Sequence, residues 1–66
     1  MPVDYKKLWM ILLDRKITKS QFRKISNLSS ATLTKLNRNE YVSMEVLVKI
    51  CFALECNIGD IVDVIK

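Results

Sequence analysis

Between Ile17 and Asn39 the chain carries start and stop signals for two helices packed into 23 residues, and these constrain everything around them. Thr18-x-x-Gln21 is a capping box: the hydroxyl accepts the amide of the third helical residue, and the glutamine side chain reaches back to the amide of the cap. Ile17 and Phe22, on either side of the cap, have the spacing of a hydrophobic staple, which sets the angle at which the chain enters the helix. The spacing predicts a helix from Lys19 to about Ser26, with Phe22 and Ile25 inward and Lys19, Arg23 and Lys24 carrying charge. Asn27 ends it, since asparagine tolerates the left-handed conformation better than any residue but glycine. Leu28 is the apolar plug of the turn. Ser29 caps a second helix with Ser30, Ala31 and Thr32 in its first turn. Leu33 and Leu36 face the core, and Asn39 is a second left-handed terminator.

The flanks extend this pattern. A first helix is expected over about Asp4 to Arg15, with Asp4 as N-cap and Arg15 and Lys16 at its negative end. Leu8, Ile11 and Leu12 form its inward stripe, flanked by Tyr5 and Trp9, and Met10 and Leu13 fall off it. A loop, Glu40-Tyr41-Val42, leads to Ser43, the cap of a helix whose apolar positions are Val46, Leu47, Ile50, Cys51 and Leu54. Asn57 is expected to cap a final short helix, Ile58 to about Val64, with Ile61, Val62 and Ile65 on its apolar side. The whole is a single all-α domain of five short helices over residues 1–66. One glycine and one proline in 66 residues support this, because sheets need frequent tight turns. A domain of this size buries only about 60% of its unfolded surface, so its core is small.

Charge narrows the partner. Residues 1–38 hold nine basic side chains against two acidic, a net of +7, and residues 39–66 hold two against five, a net of −3. A concentrated positive half attracts polyanions, although a solvated basic face with no partner accounts for charge alone equally well. Catalysis is not expected: the chain has no histidine, no glycine loop for phosphates and no clustered carboxylate pair. Cofactors, metals and small-molecule ligands are not expected either. Cys51 and Cys56 form a lone C-x4-C, which is not a zinc spacing. The longest apolar run, Leu8 to Leu13, is six residues against the roughly 20 of a membrane span, and no cleavable signal is evident. The expected location is the cytoplasm, with both cysteines as buried thiols.

Two helices joined by a turn of three or four residues, the second rich in small polar side chains, have the sequence form of a helix-turn-helix. In that arrangement the first helix sets its N-terminus against phosphates, with Lys19 adding a full charge. The second enters a major groove about 12 Å wide, which calls for short polar or basic side chains on its outer face.

The stretch TKSQFRKISNLSSATLTKLNRN, Thr18 to Asn39, resembles the helix-turn-helix of the phage Cro/repressor-type (XRE) regulators. The tail VSMEVLVKICFALECNIGDIVDVIK is similar to a short subgroup with the pattern V-S-L-x-x-L-x-x-I-C-x-A-L-x-C-x-x-G-D, and the start YKKLWMILLDRKIT also fits it. The resemblance implies a lambda-repressor-like fold, sequence-specific binding of double-stranded DNA and transcriptional regulation. It places Thr18 and Lys19 at a phosphate clamp, where a glutamine is common in place of the lysine. It places Ser29, Ser30, Ala31, Thr34 and Lys35 at base-reading and groove-edge positions, and Arg38, Asn39 and Tyr41 at backbone contacts. Two departures stand out: asparagine replaces a frequent glycine at Asn27 and Asn39, and Arg23 replaces a frequent alanine, which implies looser packing between the two helices.

Several residues carry two readings. Lys35 suits guanine O6 and N7, or a phosphate. Ser30 and Thr34 contact bases or solvate the helix. Trp9 is partly buried core or a partner anchor. Ile61, Val62 and Ile65 are core or a homodimer face, the C-terminal apolar helix being the candidate interface. The competing function is a helical protein-binding module, such as an antitoxin or adaptor, on the same fold.

Overall fold

The computed structural model describes residues 2–66. It holds β1 (Val3–Asp4), α1 (Lys6–Asp14), α2 (Lys19–Ile25), α3 (Ser30–Asn37), α4 (Met44–Leu54), a 3-10 turn at Ile58–Asp60 and β2 (Asp63–Val64). The side chains of Tyr5, Leu8, Leu12, Phe22, Leu28, Leu36, Ile50, Leu54 and Ile61 form the core. Each α-helix contributes to it, so no helix could bury its stripe without the others.

The expected cap chemistry is largely present. Thr18 and Gln21 make the reciprocal capping box, Gln21 N–H donating to Thr18 Oγ1 at 3.1 Å and Thr18 N–H to Gln21 Oε1 at 2.9 Å. Ser29 and Ser43 accept the amides of Thr32 and Val46. Asn27 and Asn39 are left-handed, as expected, and so are Lys16 and Glu55. At the ends of α1, α2, α3 and α4 the same bond recurs. The residue after the left-handed one donates to a carbonyl five positions back: Ile17 to Leu12, Leu28 to Arg23, Glu40 to Lys35 and Cys56 to Cys51.

Among the described residues four α-helices are present rather than five, and the C-terminal segment is where the expectation fails. Only Ile58–Asp60 make a turn of helix, in which Asn57 N–H donates to the Asp60 carboxylate at 2.9 Å. Beyond it, β2 pairs antiparallel with β1, Val3 opposite Val64 and Asp4 opposite Asp63, and Ile65 N–H donates to Pro2 O at 2.8 Å. The run Ile61-Val62-Asp63-Val64-Ile65 is rich in β-branched residues, which favour extended backbone once a partner strand is available. The proposed C-terminal helical dimer face therefore does not exist as a helix: Ile61 is core, Val62 is half-buried, and Val64 and Ile65 are exposed beside a strand.

Smaller corrections follow from packing. Helix α1 begins at Lys6 with Tyr5 as its cap residue; Asp4 lies in β1, although its carboxylate still accepts the Lys6 amide at 2.7 Å. Tyr5 is core rather than flank. Arg15 does not serve its own helix end: its guanidinium donates to Leu54 O at 2.6 Å, satisfying a free carbonyl at the C-terminus of α4. Ile25 is exposed. The buried arc of α2 passes through Phe22 and Ser26 toward half-buried Arg23, and at about 100° per residue this leaves Ile25 outside it.

Candidate nucleic-acid interface

The turn between α2 and α3 is short and tightly bonded. Leu28 is buried at its centre, and its amide and carbonyl both engage Arg23: Leu28 N–H donates to Arg23 O at 3.0 Å, and Arg23 Nη1 donates to Leu28 O at 3.3 Å. Arg23 thus ties the turn to α2. Ser26, the last residue before the left-handed Asn27, is buried with a hydroxyl that has no partner among the described residues.

Helix α3 is divided lengthwise. Leu36 is fully buried and Leu33 half-buried, whereas Ser30, Ala31, Thr34 and Lys35 are exposed along with the cap Ser29. The hydroxyls on this face are partly committed. Thr34 donates to Ser30 O at 3.0 Å, so it presents lone pairs and a methyl group outward. Ser29 accepts the Thr32 amide and lies 3.0 Å from the Thr32 hydroxyl. Among the described residues the ion pairs use Lys7, Arg38 and Lys49, and none involves Lys35.

The residues expected at phosphates are spread around this face. Thr18 is exposed, with its oxygen engaged in the capping box. Lys19 Nζ donates to Asn37 Oδ1 at 2.6 Å and sits 4.3 Å above the centre of the Trp9 ring. Arg38 is exposed, 3.9 Å from Glu40. Asn39 is half-buried and spends its Oδ1 on the Tyr5 amide at 3.3 Å; Tyr41 is exposed. The loop carrying these three is held from behind by Tyr5, whose hydroxyl donates to Glu40 O at 2.6 Å. Burial pushes the Tyr5 phenol above its ordinary range, partly opposed by a hydrogen bond from the Val42 backbone. Asn37 and Trp9 were not among the expected site residues. Asn37 closes α3 one position before Arg38, and nothing in its spacing signals a partner 18 residues upstream.

Elsewhere, an open groove of about 550 Å³ lies between α4 and the 3-10 turn, lined by Val48, Cys51, Phe52, Glu55, Cys56 and Ile58. It contains none of the expected site residues. The thiols of Cys51 and Cys56 are free, and burial first, then the neighbouring Cys51, pushes the Cys56 thiol up. Among the described residues no three His, Cys, Asp or Glu side chains gather as metal ligands do, and no helix is long and apolar enough to cross a membrane.

A helix held by its inner leucines, with a short polar outer face, beside a capped partner helix across a four-residue turn, is the geometry of a helix-turn-helix. Residues 7–66 match the Cro/C1-type helix-turn-helix DNA-binding domain. The chain belongs to that family. DNA binding is therefore the function of this Cro/C1-type domain. A similar solved structure is the crystal structure of the transcriptional regulator VanUg, 42% identical, with a TM-score of 0.95 over 98% of this chain and 87% of that one. A comparison with curated proteins yields no match.

Proposed function

We propose that this Cro/C1-type domain regulates transcription by seating α3 in the major groove of duplex DNA. The observation that carries this is the lengthwise division of α3: Leu36 anchors it while Ser30, Ala31, Thr34 and Lys35 stay free on its outer face. Lys35, exposed and outside any ion pair among the described residues, is the base-reading cation, a donor suited to guanine O6 and N7. Thr34, its proton spent on Ser30 O, accepts from a base amine or meets a thymine methyl. Ser29 and Ala31 line the groove edge. Thr18, Lys19, Arg38, Asn39 and Tyr41 face the sugar-phosphate backbone and set the register. The tail from Val42 to Asp60, with Cys51, Ala53, Leu54, Cys56 and Gly59 in the expected positions, supports membership of the short subgroup.

The longest dimension of the domain is 30 Å. For a site with half-sites one helical turn apart, about 34–36 Å, two copies would read both, and binding as a homodimer is the form proposed. The second reading, a protein-binding module such as an antitoxin or adaptor, is favoured by the exposed row Met44, Val48 and Phe52 on α4.

The test is selection of bound duplexes from a random pool, followed by binding at increasing salt. A palindromic site, with log K falling by about 0.9 per phosphate contacted for each unit of log salt, supports regulation by DNA binding. Lys35→Ala then relaxes preference at one base pair; a uniform loss on all sequences makes Lys35 a phosphate contact instead. Absent or salt-independent binding leaves the protein-binding module.

A further inference from the structure

A chain of contacts leads from the middle of the core to a single surface cation. Phe22 is fully buried. Its ring holds the Trp9 indole edge-on, with centroids 6.2 Å apart and planes at 86°. The face of that indole lies 4.3 Å under the Lys19 ammonium, close enough for a cation–π attraction. On another side Asn37, at the end of α3, accepts from the ammonium at 2.6 Å. Lys19 is at the start of α2, so these contacts span α1, α2 and α3.

Counting donors shows what this arrangement leaves available. An ammonium has three N–H groups and no acceptor. The atom that Asn37 turns toward it must therefore be the amide oxygen, which leaves the two N–H donors of the amide free. Asn37 accepts a hydrogen bond from one ammonium N–H, the ring face attracts charge without accepting a hydrogen bond in line, and at least one N–H is left over. A carboxylate at position 37 would hold the lysine as well but would cancel its charge. An amide holds it and leaves the full charge for another anion.

We propose that Lys19, Trp9 and Asn37 form one clamp for a phosphodiester of the DNA backbone. Lys19 supplies the charge, Trp9 is a positioning residue beneath it, and Asn37 both positions the ammonium and donates an amide N–H to the same phosphate. This rests on the DNA-binding reading above and assigns to Asn37 and Trp9 roles that reading does not need.

The test uses the intact chain and a labelled 20-base-pair duplex of random sequence, titrated at salt concentrations from about 50 to 200 mM, the range in which phosphate contacts weaken measurably. Lys19→Gln makes the slope of log K against log salt shallower by about 0.9, and Lys19→Arg restores it. Asn37→Ala is the decisive variant. It removes the amide donor while leaving Lys19 and every other cation in place, so the slope holds and affinity drops by about fivefold, measured well below the melting temperature. Unchanged affinity in this variant overturns the role given to Asn37. Trp9 is the sole tryptophan, so its emission changes when the duplex binds to the wild type and stays constant in Lys19→Gln. If the wild type binds with a steep salt dependence while Lys19→Gln keeps the full slope, the clamp is wrong and DNA binding stands. If the wild type binds no duplex at low salt, both fall.

Discussion

Replacing Tyr5 by phenylalanine removes one oxygen from the point where the N-terminal segment holds the loop behind α3. The Tyr5 ring is buried and stays so; what is lost is the 2.6 Å bond from its hydroxyl to Glu40 O. A typical internal hydrogen bond contributes about 0.5–1.5 kcal/mol net, and a buried carbonyl left without a partner costs about 1–3 kcal/mol. Glu40 is only half-buried and water can reach part of it, so a loss of about 1–2 kcal/mol is expected. Total stability for this length is roughly 3–10 kcal/mol, which makes that a sizeable fraction. The melting temperature should fall by about 4–16 °C, at about 4–8 °C per kcal/mol for a small domain. The same bond has a pH signature. Burial raises the Tyr5 phenol above its ordinary value of 10.0, so the neutral form is favoured in the fold. Such a group contributes stability that is fully present below the unfolded value and is lost as pH rises through the folded one. Wild-type stability should therefore decline above about pH 10, with part of the tyrosinate absorbance delayed until unfolding, and Tyr5→Phe should lack that delayed part. Urea unfolding at neutral pH and absorbance titration at high pH measure the two effects. Equal stability of the two proteins at neutral pH, with an unchanged delayed rise in the variant, would refute the role given to Tyr5.

Three further outcomes are expected. Ser26→Ala removes a buried hydroxyl that has no partner and should raise stability by about 1 kcal/mol, read from the urea midpoint; a loss would mean the hydroxyl is satisfied in solution. Glu55 caps α4 at φ 53°, whereas Gly59 has no positive φ and open space where a Cβ would stand. Glu55→Gly and Gly59→Ala should therefore each stabilise by up to about 1 kcal/mol, and a destabilising Gly59→Ala would contradict the open space. The Cys56 thiol, pushed up chiefly by burial, should react with a thiol-specific disulfide reagent more slowly at pH 7–8 in the folded chain than in denaturant; equal rates would show it is not protected.

Features whose physics is local were legible in the order of residues alone. Thr18, Ser29 and Ser43 cap helices through bonds to amides three residues away, and Asn27 and Asn39 turn left-handed through their own backbone preference. Those signals were enough to place α2, α3 and the turn between them, and with them the outward face of Ser30, Ala31, Thr34 and Lys35. Tertiary structure alone decided where a partner lies far along the chain. Ile61 to Ile65 became turn and strand because Val3 and Asp4 arrive alongside to pair with Val64 and Asp63. Lys16 and Glu55 turned left-handed although their side chains give no signal for it. Arg15 left its own helix for the Leu54 carbonyl 39 residues away, and Lys19 found Asn37 across 18 residues. Periodicity and capping codes carry no information about such meetings, since they depend on which helix faces which, a choice settled only when the nine core side chains pack together.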